Sequence, residues 1–103
     1  MTAEALARAL EQADTLIAQH IDADPGPAGD ERASVRGYGI PVWSLVATYR
    51  RTAQALAAGQ AAEPVEAVAH AYGLPPSAVV AALAYALRYR DVINRRIARN
   101  RAD

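Results

Sequence analysis

Apolar residues recur at helical spacing over most of the chain and are interrupted by stretches rich in proline and glycine. Leu6, Leu10, Ala13, Ile17 and Ile21 follow one another at steps of three or four residues, with Leu16 widening the stripe. This spacing predicts an amphipathic helix from about Ala3 to about His20, capped by Thr2, with Glu4 near the positive end of its dipole. From Asp22 to Arg36, Pro25, Gly26, Pro27 and Gly29 argue against a regular element and for a connector. Pro41 then fits the first turn of a second helix, whose face is Val42, Leu45, Val46, Tyr49 and Leu56, ending near Ala58 before Gly59. Trp43 lies off that stripe, beside Ala47 and Arg50, either as a core residue or as an anchor for a partner.

The clearest pattern runs from Pro64 to Tyr89. Val65, Val68, Ala69 and Tyr72 mark one face of a short helix. Gly73 follows where a helix end favours positive φ, Leu74 can tuck under the turn, and Pro75 and Pro76 stop one helix and open the next. Val79, Val80, Leu83 and Leu87 give the second helix its core face. The layout is that of a helix-turn-helix unit, or of an ordinary helical corner. With no Gly or Pro after Pro76 until the chain ends, the last helix is expected to run unbroken to near Asn100. Tyr85, Tyr89, Ile93 and Ile97, with Val92 beside them, form a second stripe on that helix. A helix apolar on two sides is sandwiched between two surfaces. One surface is the chain's own core, and the other is the N-terminal helix, a second subunit, or both, with burial in a two-fold homodimer the expected arrangement.

These elements give an all-α fold: a small helical domain with a helix-turn-helix unit and a long C-terminal helix. Residues 1–21 form the N-terminal amphipathic helix, 22–39 a Pro/Gly-rich connector, and 40–103 the helix-turn-helix domain with its basic C-terminal helix. The 103 residues suffice for one domain. The chain is 52% hydrophobic but much of that is alanine, and Phe is absent. Alanine buries little area, so self-association is expected to supplement a thin core.

Cysteine is absent, which excludes disulfides and thiolate chemistry. The Asp22, Asp24, Asp30 and Glu31 cluster departs from a calcium loop, because Gly26 falls at a ligand position and Pro25 and Pro27 stiffen the segment, so no metal is expected. His20 and His70 stand apart, Ser34, Ser44 and Ser77 lie in no nucleophile motif, and Gly37-Tyr38-Gly39 lacks the glycine and lysine of a phosphate loop. No enzyme activity and no cofactor are expected. No secretory signal and no apolar run of membrane-spanning length is visible, so the expected location is cytoplasmic, without a membrane partner.

Net charge is zero but unevenly spread. Glu4, Glu11, Asp14, Asp22, Asp24, Asp30 and Glu31 face Arg8 alone in the first part, while Arg88, Arg90, Arg95, Arg96, Arg99 and Arg101 dominate the end. Either the tail meets an anionic partner, or the two ends neutralise each other within a dimer. In a DNA-binding reading, Arg88, Arg90, Arg95, Arg96 and Arg99 would touch phosphates and Ser77 would lie near the bases. The exposed start of the second helix offers Ser77 and Ala78 rather than Arg, Asn or Gln, so direct base readout would be poor.

Gly37, Ile40, Pro41, Val42 and Trp43, then Tyr72, Gly73, Leu74 and Pro75, then Ala81, Ala82, Leu83 and Tyr85 resemble the recurring pattern of domain-of-unknown-function family 433. That family is often classed with VapB-type antitoxin-like helix-turn-helix proteins. The resemblance covers about Asp22 to Ile97. Many members carry Thr-Arg before Ile-Pro, where this chain has Tyr38 and Gly39, and the first helix matches no family motif. The resemblance implies a small helical, dimeric DNA-binding or antitoxin-like protein, so the first reading is a DNA-binding regulator of the antitoxin type, with DNA and a cognate toxin protein as candidate partners. The competing reading is a helical dimeric protein-interaction module with no DNA role.

Overall fold

The chain's strongest helix former sits at its centre. In the computed structural model, which describes residues 2–23, 29–56 and 63–102, the alanine-rich segment Pro76–Arg88 is helix α5. Before it come α1 (Ala3–Glu11), α2 (Ala13–His20), β1 (Ile21–Asp22), β2 (Ser34–Val35), α3 (Val42–Leu56) and α4 (Pro64–Tyr72), and after it α6 (Arg90–Ala102). All the other helices and β1 pack against α5. Ala78, Val79, Val80, Ala81, Ala82, Ala84, Tyr85 and Ala86 are all buried, and the methyl-sized side chains of the alanines let neighbouring helices approach from several sides at once. The all-α class expected from the periodicity holds.

The helix-turn-helix reads as the sequence implies. Pro64 opens α4, and the Glu63 carboxylate accepts a hydrogen bond from the Glu66 N–H at 3.3 Å. Val65, Val68 and Ala69 are buried, and Gly73 ends the helix in the left-handed region at φ 68°, ψ 34°. The Leu74 N–H then returns to the Ala69 carbonyl at 2.8 Å, and its side chain is buried. Across Gly73, Leu74 and Pro75 the helix axis turns through 111°. The Tyr72 hydroxyl shares a 2.9 Å hydrogen bond with Thr48 Oγ1 and so ties α4 to α3.

Three expectations need correction. The N-terminal helix is two, because the backbone leaves helical geometry at Gln12 (φ −99°, ψ 28°), and nothing in the sequence marks the break. The connector contains a short antiparallel ribbon, with Ile21 opposite Val35 and Asp22 opposite Ser34. The Arg36 N–H donates to the His20 carbonyl at 2.7 Å and the Val35 N–H to the Ile40 carbonyl at 2.8 Å, while Ile21, Ala33 and Val35 enter the core. Asp24 and the glycine and prolines at 25–27 lie outside the described residues.

The third correction concerns the long last helix, which breaks at Tyr89 (φ −118°, ψ 48°). A straight helix from Pro76 to Ala102 would measure about 40 Å, as long as the longest axis of the molecule at 39 Å. The break turns α6 onto α3, burying Ile93 and Ile97 and setting the Arg96 guanidinium 4.7 Å from the Trp43 ring centroid. Hydrogen bonds from the Tyr89 N–H to the Tyr85 carbonyl (3.0 Å) and from the Ile93 N–H to the Tyr89 carbonyl (3.2 Å) keep the helical ladder going on both sides.

Tyr89 also meets the end of the connector. A Cβ on Gly29 (φ +81°) would lie 2.6 Å from Tyr89 Cγ and 2.7 Å from its Cβ, whereas one on Gly37 (φ +83°) would meet nothing within 4 Å. Gly37→Ala is therefore expected to cost about 1–2 kcal/mol for the left-handed backbone alone. Gly29→Ala should cost about 1–3 kcal/mol more for overpacking. Urea unfolding of the two variants side by side measures the difference, and equal midpoints would contradict the contact.

Candidate functional site

Ser77 is exposed at the second residue of α5, as a recognition helix requires, but it stands almost alone. In the first three turns of α5 only Pro76 and Ser77 are exposed, and Leu83 is half-buried. A helix in the major groove must present a face of several side chains to base edges. Helix α5 instead gives its faces to α1, α2, β1, α3, α4 and α6.

The tail arginines meet different partners, although Arg95 and Arg99 border one pocket beside Glu31. Arg88 forms an ion pair with Asp14 of α2, and Arg99 reaches Glu31 at 2.7 Å. The Arg99 hydrogen bond, with the charges of Arg99, Arg96 and Arg32, holds the Glu31 carboxyl below the usual carboxylate range against a smaller opposing effect of burial. Arg96 lies over Trp43, and Arg95 donates from Nε to the Asp91 carbonyl at 3.3 Å. Arg90 is exposed and, among the described residues, has no carboxylate partner. Ser77 lies about 16 Å from Arg88 along the axis of α5. The acidic front and the basic tail, expected to neutralise each other within a dimer, instead form two ion pairs within a single chain, Asp14–Arg88 and Glu31–Arg99.

The stripe expected to form a dimer interface is buried by the chain itself. Tyr85 is 2% exposed, Ile93 0% and Ile97 5%. The Tyr85 hydroxyl accepts a hydrogen bond from the Asp30 N–H at 2.7 Å, and its ring lies 4.7 Å from that of half-buried Tyr89. Tyr85, Ile93 and Ile97 are thus covered within the chain, where the break at Tyr89 turns the stripe inward, and Tyr89 keeps part of its surface open.

Large apolar surface appears elsewhere. Leu83 and Leu87, expected in the core, sit at the outer edge of α5, and Leu87 is 54% exposed. With Val46, Tyr49 and Arg50 of α3, Ala86, and Arg90 at the start of α6, they line a groove of about 220 Å³. Burial raises the Tyr49 hydroxyl above its ordinary pKa, helped by the charge of Glu63. The sequence carried one sign of this groove: α5 has more apolar positions than one core face needs.

His70 is exposed and His20 half-buried. Among the described residues, no three His, Asp or Glu side chains are placed to hold a metal ion. Among them, too, no single helix is long and apolar enough to cross a membrane, and the α4–α5 pair, which passes on length and composition, is the bent centre of the core. No family model, curated protein or solved structure matches the chain.

Proposed function

We propose that the chain is a protein-interaction module that holds a partner protein, rather than a reader of base edges. The observation that carries this is the burial of α5 from Ala78 to Ala82 and from Ala84 to Ala86, which leaves the helix-turn-helix without a recognition face. Meanwhile Leu87, with half-buried Leu83 and Tyr49 beside it, presents apolar surface that no part of the described chain covers. Exposed apolar surface continuous with a groove marks a site of association more often than an isolated surface leucine does. The test is co-purification from the native host, scoring both the product of the adjacent gene and nucleic acid. A stoichiometric protein partner that survives nuclease treatment is the expected outcome. Recovery of nucleic acid alone would overturn the proposal.

A second reading, DNA binding through phosphates, is favoured by the 111° turn and by exposed Arg90 and Arg95. It makes its own forecast. With Arg88, Arg96 and Arg99 engaged inside the chain, changing Arg90 and Arg95 to Gln should flatten the slope of log affinity against log salt by about 1.8, at roughly 0.9 per lost phosphate contact. Binding isotherms at several salt concentrations measure this, and parallel slopes for the two proteins would remove the reading.

A further inference from the structure

We infer that the groove between α3 and α5 receives an acidic amphipathic helix of the partner protein, an inference that rests on the interaction reading above and names the partner's chemistry. The shape comes first. At about 220 Å³, the groove falls below the roughly 300–1,000 Å³ of sites that enclose a small molecule. Its walls are helices, and no sheet edge borders it to recruit a strand. Its lining is Val46, Leu83, Ala86 and Leu87 with the Tyr49 ring, a surface suited to apolar side chains spaced along one face of a helix.

The charge comes next. Arg50 and Arg90 complete the lining, both are exposed, and neither has a carboxylate or hydroxyl partner among the described residues. Arg32 and Arg95 are likewise exposed without a carboxylate or hydroxyl partner among the described residues, but neither borders an apolar groove of this kind; most of the other described arginines are engaged. Arg8, Arg36, Arg88 and Arg99 each pair with a carboxylate, Arg51 donates to Thr48 Oγ1, and Arg96 lies on Trp43. Two uncommitted guanidinium groups beside an apolar lining call for carboxylates flanking an apolar stripe. A second copy of the chain seated symmetrically on the same face would bring Arg50 and Arg90 toward their own equivalents, and like charges meeting at an interface are unfavourable.

The experiment uses the full chain and labelled synthetic peptides of about 15 residues, long enough to form a helix. One has Leu at i, i+4 and i+7 flanked by Glu, and another has the same Leu flanked by Lys. By fluorescence anisotropy the acidic peptide should bind at least about tenfold more tightly than the basic one. Leu87→Ala should weaken it by about tenfold, as for a residue near the centre of an interface. Because Leu87 is exposed, its thermal melting should match the parent's. The double variant Arg50→Glu, Arg90→Glu should reverse the preference and favour the basic peptide. Binding that depends on Leu87 but not on peptide charge overturns the acidic partner and leaves the interaction module standing. Failure of both peptides, with duplex DNA bound through Arg50 and Arg90 instead, overturns both. A dimer in sedimentation that Leu87→Ala dissolves assigns the groove to a second copy and overturns the acidic helix.

Discussion

Tyr85→Ala is expected to lower the stability of the chain by about 3–5 kcal/mol, the range for removing a large buried aromatic. Folded domains are stable by only about 5–15 kcal/mol in total, so the variant should be largely unfolded on mild heating. Several contacts fail together. Tyr85 is 2% exposed, the largest of the fully buried side chains, in a core built mostly from valine and alanine. Its ring supports Tyr89, at the bend that sends α6 back onto α3. Its hydroxyl accepts the Asp30 N–H and so pins the end of the connector. Tyr85→Phe separates these roles, since it keeps the ring and removes the acceptor. That variant should cost about 1–3 kcal/mol, seen as a lower urea midpoint with an unchanged denaturant slope. A Phe variant as unstable as the Ala variant would mean that the hydroxyl, rather than the packing, governs the site.

The α4–turn–α5 corner was legible because its signals are local. Gly73 supplies the left-handed end, Pro64 and Pro76 begin helices, and Leu74 closes the turn, each by chemistry within a few residues. The break at Tyr89 was not legible, because no Gly or Pro causes it and it arises where α6 finds Trp43 and the rest of α3. The β1–β2 ribbon was missed for another reason: strands of two residues are too short to show an alternating pattern. The opposed charges at the two ends of the chain were visible as totals, but not that Asp14 would take Arg88 and Glu31 would take Arg99.

The candidate site was legible only in part. Apolar periodicity marked Leu83 and Leu87 but assigned them to the core, because Val79 to Leu87 is apolar on nearly every side and spacing alone cannot rank those sides. Close packing ranks them. The faces carrying Val79, Val80, Tyr85 and the alanines are covered by neighbouring elements, while Leu83 and Leu87 are left at the rim. Arg50 and Arg90 belong to different helices and meet at the groove only through the fold. Under the proposed reading, the functional weight given to the tail from Arg88 to Arg99 shifts to a surface that the tail only borders.

Ile93→Asp is expected to abolish cooperative folding, and it separates two accounts of the stripe it belongs to. If Tyr85, Tyr89, Ile93 and Ile97 formed a dimer interface, the aspartate would lie on the surface of the separated subunit. The variant would then be a folded monomer of half the parent mass. In the structure Ile93 is fully buried within one chain, in the same core as Val42, Leu45 and Val46 of α3. A carboxylate at that position loses its water without gaining a partner, and an unpaired buried charge costs several kcal/mol even after its pKa shifts. Removing the isoleucine packing adds about 2–5 kcal/mol. Together these match or exceed the stability of a small domain. Circular dichroism should show loss of the melting transition, and sedimentation should show an expanded or aggregated chain. Leu87→Asp is the counterpart: it places the same charge on α5 at a side chain that is 54% exposed, and its melting temperature should stay within a few degrees of the parent, as for a surface change. A folded Ile93→Asp monomer, beside a parent dimer, would restore the stripe as an interface between subunits.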